Sequence, residues 1–360
     1  EYIDEIKNYG HLPGRIETNY EGWESQPWFQ SWLEKLPYKK REDPFQGTKE
    51  RRRVPLDPVS VRKSVIPHFM LSSDAETIAG ALAIFNRGID KNEIDLVMVS
   101  SLVPDRHVPL NASLVQHKLG LKNAGAYNVD TCCSSFITML EIAVGLIHAG
   151  IKKKVLIVAS SIDSHINDKS TYYSVDTGDA AAAGIVSQVE DGFGYMASYS
   201  TSHGNRHAAI VFHKRQPELL ITTSHLPNYE QEFVTFYDQN LCKEIAVNAQ
   251  KDMVEVASKT LEKANISVED IDFLVTHQPV AWTANAWREA VGVPPEKFYE
   301  SFEKYGNIAC CSVPVNLLEA LEKKLITEGN KVLMASSGVG ENHIALLERV
   351  SPQLIRNTRL

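Results

Sequence analysis

Four of the five cysteines come as adjacent pairs, Cys132-Cys133 and Cys310-Cys311, and these are the residues best suited to covalent chemistry. A thiolate is favoured where a strand gives way to a helix, because the free N–H groups and the dipole of the helix start stabilise its charge. Cys133 directly precedes a long apolar segment of helical length, and Cys310-Cys311 stand at a similar junction. Position alone does not choose between the pairs. An odd number of cysteines with two vicinal pairs makes a poor disulfide framework. Neither Cys-x-x-Cys nor His-Glu-x-x-His occurs. The expectation is a reduced compartment, one reactive thiol and no metal.

A nucleophilic thiol needs a partner that moves or holds protons. Of the twelve histidines, His277 follows the apolar run Ile271 to Val275, at the carboxyl end of an expected core strand. There α/β folds place their ligands. His343, beyond a glycine turn near the last strand, is the weaker candidate. Asn307, in Tyr305-Gly306-Asn307, precedes a second helical segment, where its amide can donate to a substrate oxygen. In Ser336-Ser337-Gly338-Val339-Gly340 the glycines let backbone N–H groups approach a ligand closely, as an oxyanion hole requires.

The elements that position these residues read as an internal duplication. The block Asn92-Glu93-Ile94-Asp95-Leu96-Val97 resembles Glu269-Asp270-Ile271-Asp272-Phe273-Leu274, with Asp95 and Asp272 lying 177 residues apart. Lys154-Val155-Leu156 meets Lys331-Val332-Leu333 at the same spacing of 177. Aligning Cys132-Cys133-Ser134 with Cys310-Cys311-Ser312 gives 178, which predicts one residue lost between the last two blocks. Each copy runs strand, loop, helix, strand. Leu96 to Ser100 and Val155 to Ala159 are β-branched apolar runs suited to strands buried on both faces. Ser134 to Ala149 is apolar nearly all round and so predicts a central helix; Ser312 to Glu328 is more amphipathic, with Gly329 as its expected stop. Alternating buried strands and helices imply an α/β layered fold.

Three separated motifs resemble those of the β-ketoacyl-ACP synthase III family of the thiolase superfamily. Tyr127-Asn128-Val129-Asp130-Thr131-Cys132-Cys133-Ser134-Ser135-Phe136 is similar to its nucleophile motif, with the cysteine at Cys133. Leu274-Val275-Thr276-His277-Gln278-Pro279 is similar to its histidine motif, and Tyr305 to Pro314 to its asparagine motif, with Tyr305 where histidine is usual. Thr177-Gly178-Asp179 resembles the Gly-Asp turn ending the first half, and Gly10-His11-Leu12-Pro13 with Thr18-Asn19 the opening strand and turn. His203-Gly204-Asn205 spells the usual tripeptide, but no Ser-Val-Pro and helix follow it.

The resemblance implies a duplicated thiolase-like fold in five layers, α-β-α-β-α. Residues 1–190 would form the half carrying the nucleophile, and 191–360 the half carrying histidine and asparagine. It implies Cys133, His277 and Asn307 as catalytic residues, the N–H groups of Cys133 and Gly338 as oxyanion hole, and Ser336 and Ser337 beside the substrate pocket. Coenzyme A or an acyl-carrier protein would deliver the thioester substrates on phosphopantetheine, to a homodimer without bound cofactor or metal. The chain departs from the family at Trp282, where a carrier-docking arginine is usual, and at Ser336, where a bulky residue is usual. Around Lys40 to Gly47 the usual coenzyme-binding Trp and Arg have no clear counterparts. These departures point to specialised metabolism. Two alternatives remain open: acyl transfer to a hydroxyl or amine on the same fold, and a non-catalytic subunit of a heterodimer.

Bulk composition fits this reading. Hydrophobic residues make up 43% and charged ones 23%, as in a globular enzyme, and the net charge of −8 argues against nucleic-acid binding. No apolar run approaches bilayer length, and the sequence starts without the pattern of a signal peptide, so the expected location is cytoplasmic. The stretch from Trp23 to Arg53, aromatic and then basic, reads as a solvated loop with an amphipathic helix, or as a cap over an active-site entrance.

Overall fold

A computed structural model describes residues 70–163, 177–214 and 233–357. The Trp23–Arg53 stretch and the opening motifs lie outside the described residues.

Helix α1 (Ser72–Arg87) leads into strand β1 (Leu96–Ser101), which pairs in parallel with β2 (Gly125–Asn128) and with β3 (Lys154–Ile162). Helix α2 (Asn111–Leu119) lies between β1 and β2 in the chain, and α3 (Ser135–His148) between β2 and β3. Strand β3 then pairs antiparallel with β4 (Asp179–Ser187), completing a sheet ordered β2-β1-β3-β4. The chain continues into β5 (Gly194–Ser202), a two-stranded ribbon of β6 (Ile210–Lys214) and β7 (Phe233–Tyr237), and the long helix α4 (Gln239–Ala264). Next come β8 (Phe273–Thr276), α5 (Thr283–Val291), the single turn α6 (Phe302–Tyr305), α7 (Ser312–Glu322), β9 (Lys331–Gly338), β10 (Asn342–Arg349) and α8 (Pro352–Asn357). The second sheet is ordered β5-β10-β9-β8, with β8 parallel to β9 and the other pairs antiparallel.

Strand alternation sets the layers. Leu96 and Met98 face inward onto Phe136 and Met139 of α3, while Val97 and Val99 face outward onto Ile84 of α1 and Val115 of α2. In the second sheet Phe273 and Val275 meet Ile137 of α3 and Val313 of α7, while Leu274 and Leu333 meet Met253 and Val256 of α4. Four apolar interfaces thus separate five layers, α-β-α-β-α. Each fully buried Leu, Val, Met or Phe contributes roughly 1.5–3 kcal/mol to this stacking.

The repeat has a physical basis in strand entry. Asp90 and Ser267 cap matching 3-10 turns, and Ile94 and Ile271, just past them, are fully buried. The Asp95 carboxylate then accepts from the Lys153 and Lys154 N–H groups at 2.7 and 3.3 Å, and Asp272 accepts from the Lys331 N–H at 2.8 Å. Each aspartate fastens the start of the neighbouring parallel strand.

The structure corrects three expectations. No residue is lost between the cysteine pairs and the last strands. The 3-10 turns Cys132–Ser134 and Ala309–Cys311, and the helix starts Ser135 and Ser312, keep the spacing of 177. Cys133 therefore corresponds to Cys310, and the shared Cys-Cys-Ser spelling is out of structural register. Helix α7 stops at Glu322 and not near Gly329, because Lys324 takes a left-handed conformation (φ 58°) that turns Ile326 into the core. Helix α3 is central only in its first half. Further along, Leu140, Val144 and Ile147 line an open cavity of about 750 Å³ together with residues of α1, β4 and α7.

Candidate active site

The two turns before α3 and α7 are built alike and held crosswise. In the first, the Asp130 carboxylate accepts from the Cys132 N–H at 2.8 Å, and Cys132 takes a left-handed φ of 54°. In the second, Asn307 Oδ1 accepts from the Ala309 N–H at 2.9 Å, and Ala309 takes a φ of 43°. The short polar side chain stabilises a backbone conformation that L-residues otherwise avoid. Strand β9 of the second sheet grips the first turn: Ser336 Oγ donates to the Cys133 carbonyl at 3.0 Å. A Cβ on Gly338 would lie 2.2 Å from the Thr131 carbonyl, so only glycine permits this approach. The first half grips the second turn in return. Gly178 N–H donates to the Asn307 carbonyl at 2.9 Å, and Cys311 Sγ reaches the Ala159 and Ala180 carbonyls at 3.4 Å.

These contacts distinguish the two cysteine pairs. Cys310 and Cys311 are buried at 1% and 0% exposure with their thiols on main-chain carbonyls, which makes them packing residues. Cys133, 9% exposed, instead has its sulfur against the Val339 N–H. Position before a helix predicts a lowered thiol pKa, and here the structure overturns that expectation. The Cys132 sulfur, 3.8 Å away, together with burial pushes the Cys133 thiol well above its usual range, and Asp163 adds to the rise. The Val339 N–H opposes the shift and is outweighed. Cys133 rests as a neutral thiol.

His277 directly follows β8, and its backbone N–H extends the ladder to the Ala335 carbonyl at 3.0 Å. Its Nδ1 lies 3.1 Å from Ser312 Oγ at the start of α7, and its ring centroid is 6.5 Å from that of Trp287. Burial lowers its pKa to about 3, so the ring is neutral near pH 7. The contact fits either tautomer; in the one where the Ser312 hydroxyl donates to Nδ1, the proton sits on Nε2, which then is the donor offered to a ligand. Asn307, 5% exposed, spends Oδ1 on the Ala309 N–H, and this leaves its NH₂ group as the free end.

The remaining sites are placed as follows. Ser336 is fully buried beside the Cys132–Ser134 turn, and Ser337 is half-buried with its hydroxyl 3.3 Å from Glu341. Tyr305, standing where histidine is usual, is buried and donates its hydroxyl to Glu319 at 2.5 Å. Trp282 is half exposed at the start of α5. His343 lies in β10, 2% exposed, within a separate polar cluster that also includes His203. Sequence reasoning missed Ser312, Val339 and Asp163. Ser312 and Val339 lie inside the quoted motifs, but only their contacts reveal a role, and Asp163 carries no sequence signal.

A duplicated five-layer core, with a cysteine turn of one half gripped by the other and a buried histidine and an oriented asparagine in the second half, is that of a thiolase-superfamily condensing enzyme. Residues 127–204 match the profile described as 3-oxoacyl-[acyl-carrier-protein (ACP)] synthase III, and residues 261–350 match its C-terminal counterpart. The β-ketoacyl-[acyl-carrier-protein] synthase III of Caldanaerobacter subterraneus subsp. tengcongensis is 31% identical over 273 residues, covering 75% of this chain and 80% of that protein. The protein of the same name from Clostridium perfringens is 29% identical over 270 residues, covering 75% and 82%. The crystal structure of 3-oxoacyl-[acyl-carrier-protein] synthase III from Aquifex aeolicus superposes with a TM-score of 0.71 at 27% identity, covering 81% of this chain and 88% of that one. The chain belongs to the β-ketoacyl-[acyl-carrier-protein] synthase III family.

Proposed function

We propose that the protein loads an acyl group onto Cys133 and condenses it with a malonyl or β-ketoacyl thioester, in polyketide- or fatty-acid-derived specialised metabolism. The observation that carries this reading is a cysteine held on a tightly gripped turn in one half, together with two oriented polar side chains in the other, His277 against Ser312 and Asn307 pinned by the Ala309 N–H. In the first stage the Cys133 sulfur attacks the thioester carbonyl. Its proton leaves with the departing thiol, and N–H groups of Cys133 and Gly338, with Val339 adjacent, stabilise the oxyanion. In the second stage His277 and Asn307 donate to the thioester oxygen of the extender. Loss of carbon dioxide, or of a proton, creates an enolate there. The enolate carbon attacks the acyl-cysteine, forming the new C–C bond and releasing the Cys133 thiolate, which regains a proton.

The residues divide between two halves in this reading, 1–190 and 191–360. In support, β4 ends in the first sheet at Ser187 and β5 begins in the second at Gly194. Substrates arrive on coenzyme A or an acyl-carrier protein, and the half-exposed Trp282 at the usual carrier-docking position favours a non-standard carrier or donor. Ser336 and Ser337 form the wall nearest the acyl-cysteine. A homodimer in the cytoplasm is the assembly we infer. The edge strand β4, with partly exposed Ala181 to Val186, offers a face for a second copy, and no helix among the described residues is long and apolar enough to cross a membrane.

The deciding experiment follows both stages by intact-protein mass and product analysis. His277→Ala and Asn307→Ala should still gain the acyl mass while losing C–C bond formation by about a hundredfold or more. Full turnover of Asn307→Ala with an alcohol or amine acceptor, with no C–C product from the wild type, would replace this reading by plain acyl transfer.

A further inference from the structure

A second polar centre lies apart from the nucleophile. His203, in the loop after β5, Asp252 on α4 and His343 on β10 bring one ligand atom each within 4.8 Å of the others. His203 Nε2 is 3.4 Å from Asp252 Oδ1, and His343 Nε2 is 3.8 Å from Asp252 Oδ2 and 3.6 Å from Glu341 Oε2. Four-coordinate zinc, with bonds of about 2.0–2.1 Å, sets its ligand atoms about 3.3 Å apart. His203 Nε2 and Asp252 Oδ1 stand at 3.4 Å, and the three ligand atoms together lie within 4.8 Å, so a small inward movement of His343 closes the set.

Two further observations point to a ligand. His343 is 2% exposed, yet neither of its ring nitrogens makes a well-formed hydrogen bond, and the buried His203 Nε2 makes none either; both Nε2 atoms only face carboxylate oxygens at 3.4–3.8 Å. Leaving such atoms bare is costly, and an ion between the rings removes the cost. The charge also fits. Arg206 Nη1 donates to Asp252 Oδ2 at 2.6 Å and Glu341 Oε2 at 2.8 Å, and its Nε donates to Glu244 at 3.1 Å. Three carboxylates against one guanidinium leave two negative charges over. Arg206 holds one oxygen of Asp252 and turns the other towards His203, as outer partners do for metal ligands.

We propose that His203, Asp252 and His343 bind a divalent transition-metal ion of the zinc class at a site distinct from the condensing chemistry. Imidazole nitrogens with one carboxylate suit zinc-like ions better than calcium or magnesium. The side chain of His203 is 29% exposed and provides the route in. The ion ties β5, α4 and β10 together. It also steadies the β9–β10 turn, because Glu341 accepts from the His203 N–H at 2.9 Å through its carbonyl and from Ser337 Oγ through its carboxylate. That turn carries Gly338 and Val339 to the nucleophile. The ligands come from three distant elements, so no short spacing announces them. His207, four residues after His203, is exposed and turned to the Gly204 carbonyl.

The test titrates Zn²⁺ into the full-length, chelator-treated protein by calorimetry, with Co²⁺ as a spectroscopic probe. One ion per chain should bind, and Co²⁺ should show the visible bands of a four-coordinate nitrogen–oxygen site. His203→Gln and His343→Gln should each weaken binding by about a hundredfold or more, while the surface control His117→Gln should not. Cys132→Ser with Cys133→Ala should leave binding intact, which separates this site from the nucleophile. Should His343→Gln fail to fold, the rim variant His203→Gln decides alone. Absence of stoichiometric binding, retention of affinity in His203→Gln, or loss of binding in the cysteine double variant would each overturn the proposal.

Discussion

Asp130 and Asn307 occupy the same position in the two halves, and each pins the backbone N–H two residues ahead, Cys132 at 2.8 Å and Ala309 at 2.9 Å. The turn geometry needs only the acceptor oxygen; the amide nitrogen of Asn307 is additional. Asn307→Asp should therefore keep the turn, the fold and acylation of Cys133. It should lose C–C bond formation by about a hundredfold or more, since the donor is gone and a negative charge faces the enolate. Acyl-enzyme mass and product yield read the two stages separately. A variant Asn307→Asp that condenses at the wild-type rate would remove the amide from the mechanism.

Gly338 packs tightly against the Cys132–Ser134 turn. A methyl group there would lie 2.2 Å from the Thr131 carbonyl and 3.0 Å from the Ser134 nitrogen, both main-chain atoms that cannot swing aside. Gly338→Ala should displace the turn, cut acyl loading at least about a hundredfold and destabilise the protein by roughly 1–3 kcal/mol. Thermal denaturation and acylation kinetics check both effects.

His277 links the site to pH. Its imidazole is lowered from 6.5 to about 3, so between those values the unfolded chain binds a proton that the native state refuses. Its contribution to stability is fully present above pH 6.5 and is lost as pH falls towards 3, at about 1 kcal/mol per unit. Glu76 and Glu348, both raised to about 7 by burial, act with the opposite sign: the native state holds their protons, and their contribution is lost as pH rises from 4.5 through 7. The wild-type profile is therefore a sum. The measurement is the difference in urea midpoints between wild type and His277→Gln at pH 6 and pH 5, and it should shrink as pH falls. A constant difference would mean that His277 is not held neutral.

The motifs and their order were legible as a family resemblance, which the matches over residues 127–204 and 261–350 bear out; the roles of Cys133, His277 and Asn307 within them are part of the proposal. The layers were legible because Leu96 to Val99 and Phe273 to Val275 need burial on both faces, and here they have it. Register was not legible at the cysteines. Asp130 and Asn307 fix the turns, but the eye aligns Cys-Cys-Ser with Cys-Cys-Ser and slips by one. The thiol pKa was misread for a related reason. Helix position is a sequence feature, whereas the Cys132 sulfur and the burial of Cys133 appear only in three dimensions.

Ser336 should influence which acyl chain loads. It is fully buried, its hydroxyl holds the Cys133 carbonyl, and the family usually carries a bulkier residue there. Wild type should load octanoyl or cinnamoyl thioesters in preference to acetyl. Ser336→Phe should shift the preference towards short chains, each excluded methylene costing about 1–3 kcal/mol in the transition state. Competition between donors, read as acyl-enzyme mass, measures the ratio. A wild type that prefers acetyl, unchanged in Ser336→Phe, would assign chain selection elsewhere.

The resting thiol makes the last prediction. Because Cys132 and burial hold Cys133 neutral, iodoacetamide should alkylate it slowly near pH 7 and faster as pH rises, since only the thiolate attacks. Thioester donors should still load it at pH 7, because the backbone N–H groups meet a developing oxyanion that iodoacetamide does not produce. Cys132→Ala removes the main cause of the raised pKa, so it should keep the acyl adduct and increase alkylation of Cys133 near neutral pH. Cys133→Ala should abolish the adduct, and Cys310→Ala should not. Peptide mapping that finds the acyl group on Cys132 or Cys310 would overturn the assignment. Slower alkylation of Cys133 in Cys132→Ala would mean that the neighbouring sulfur activates the nucleophile instead of restraining it.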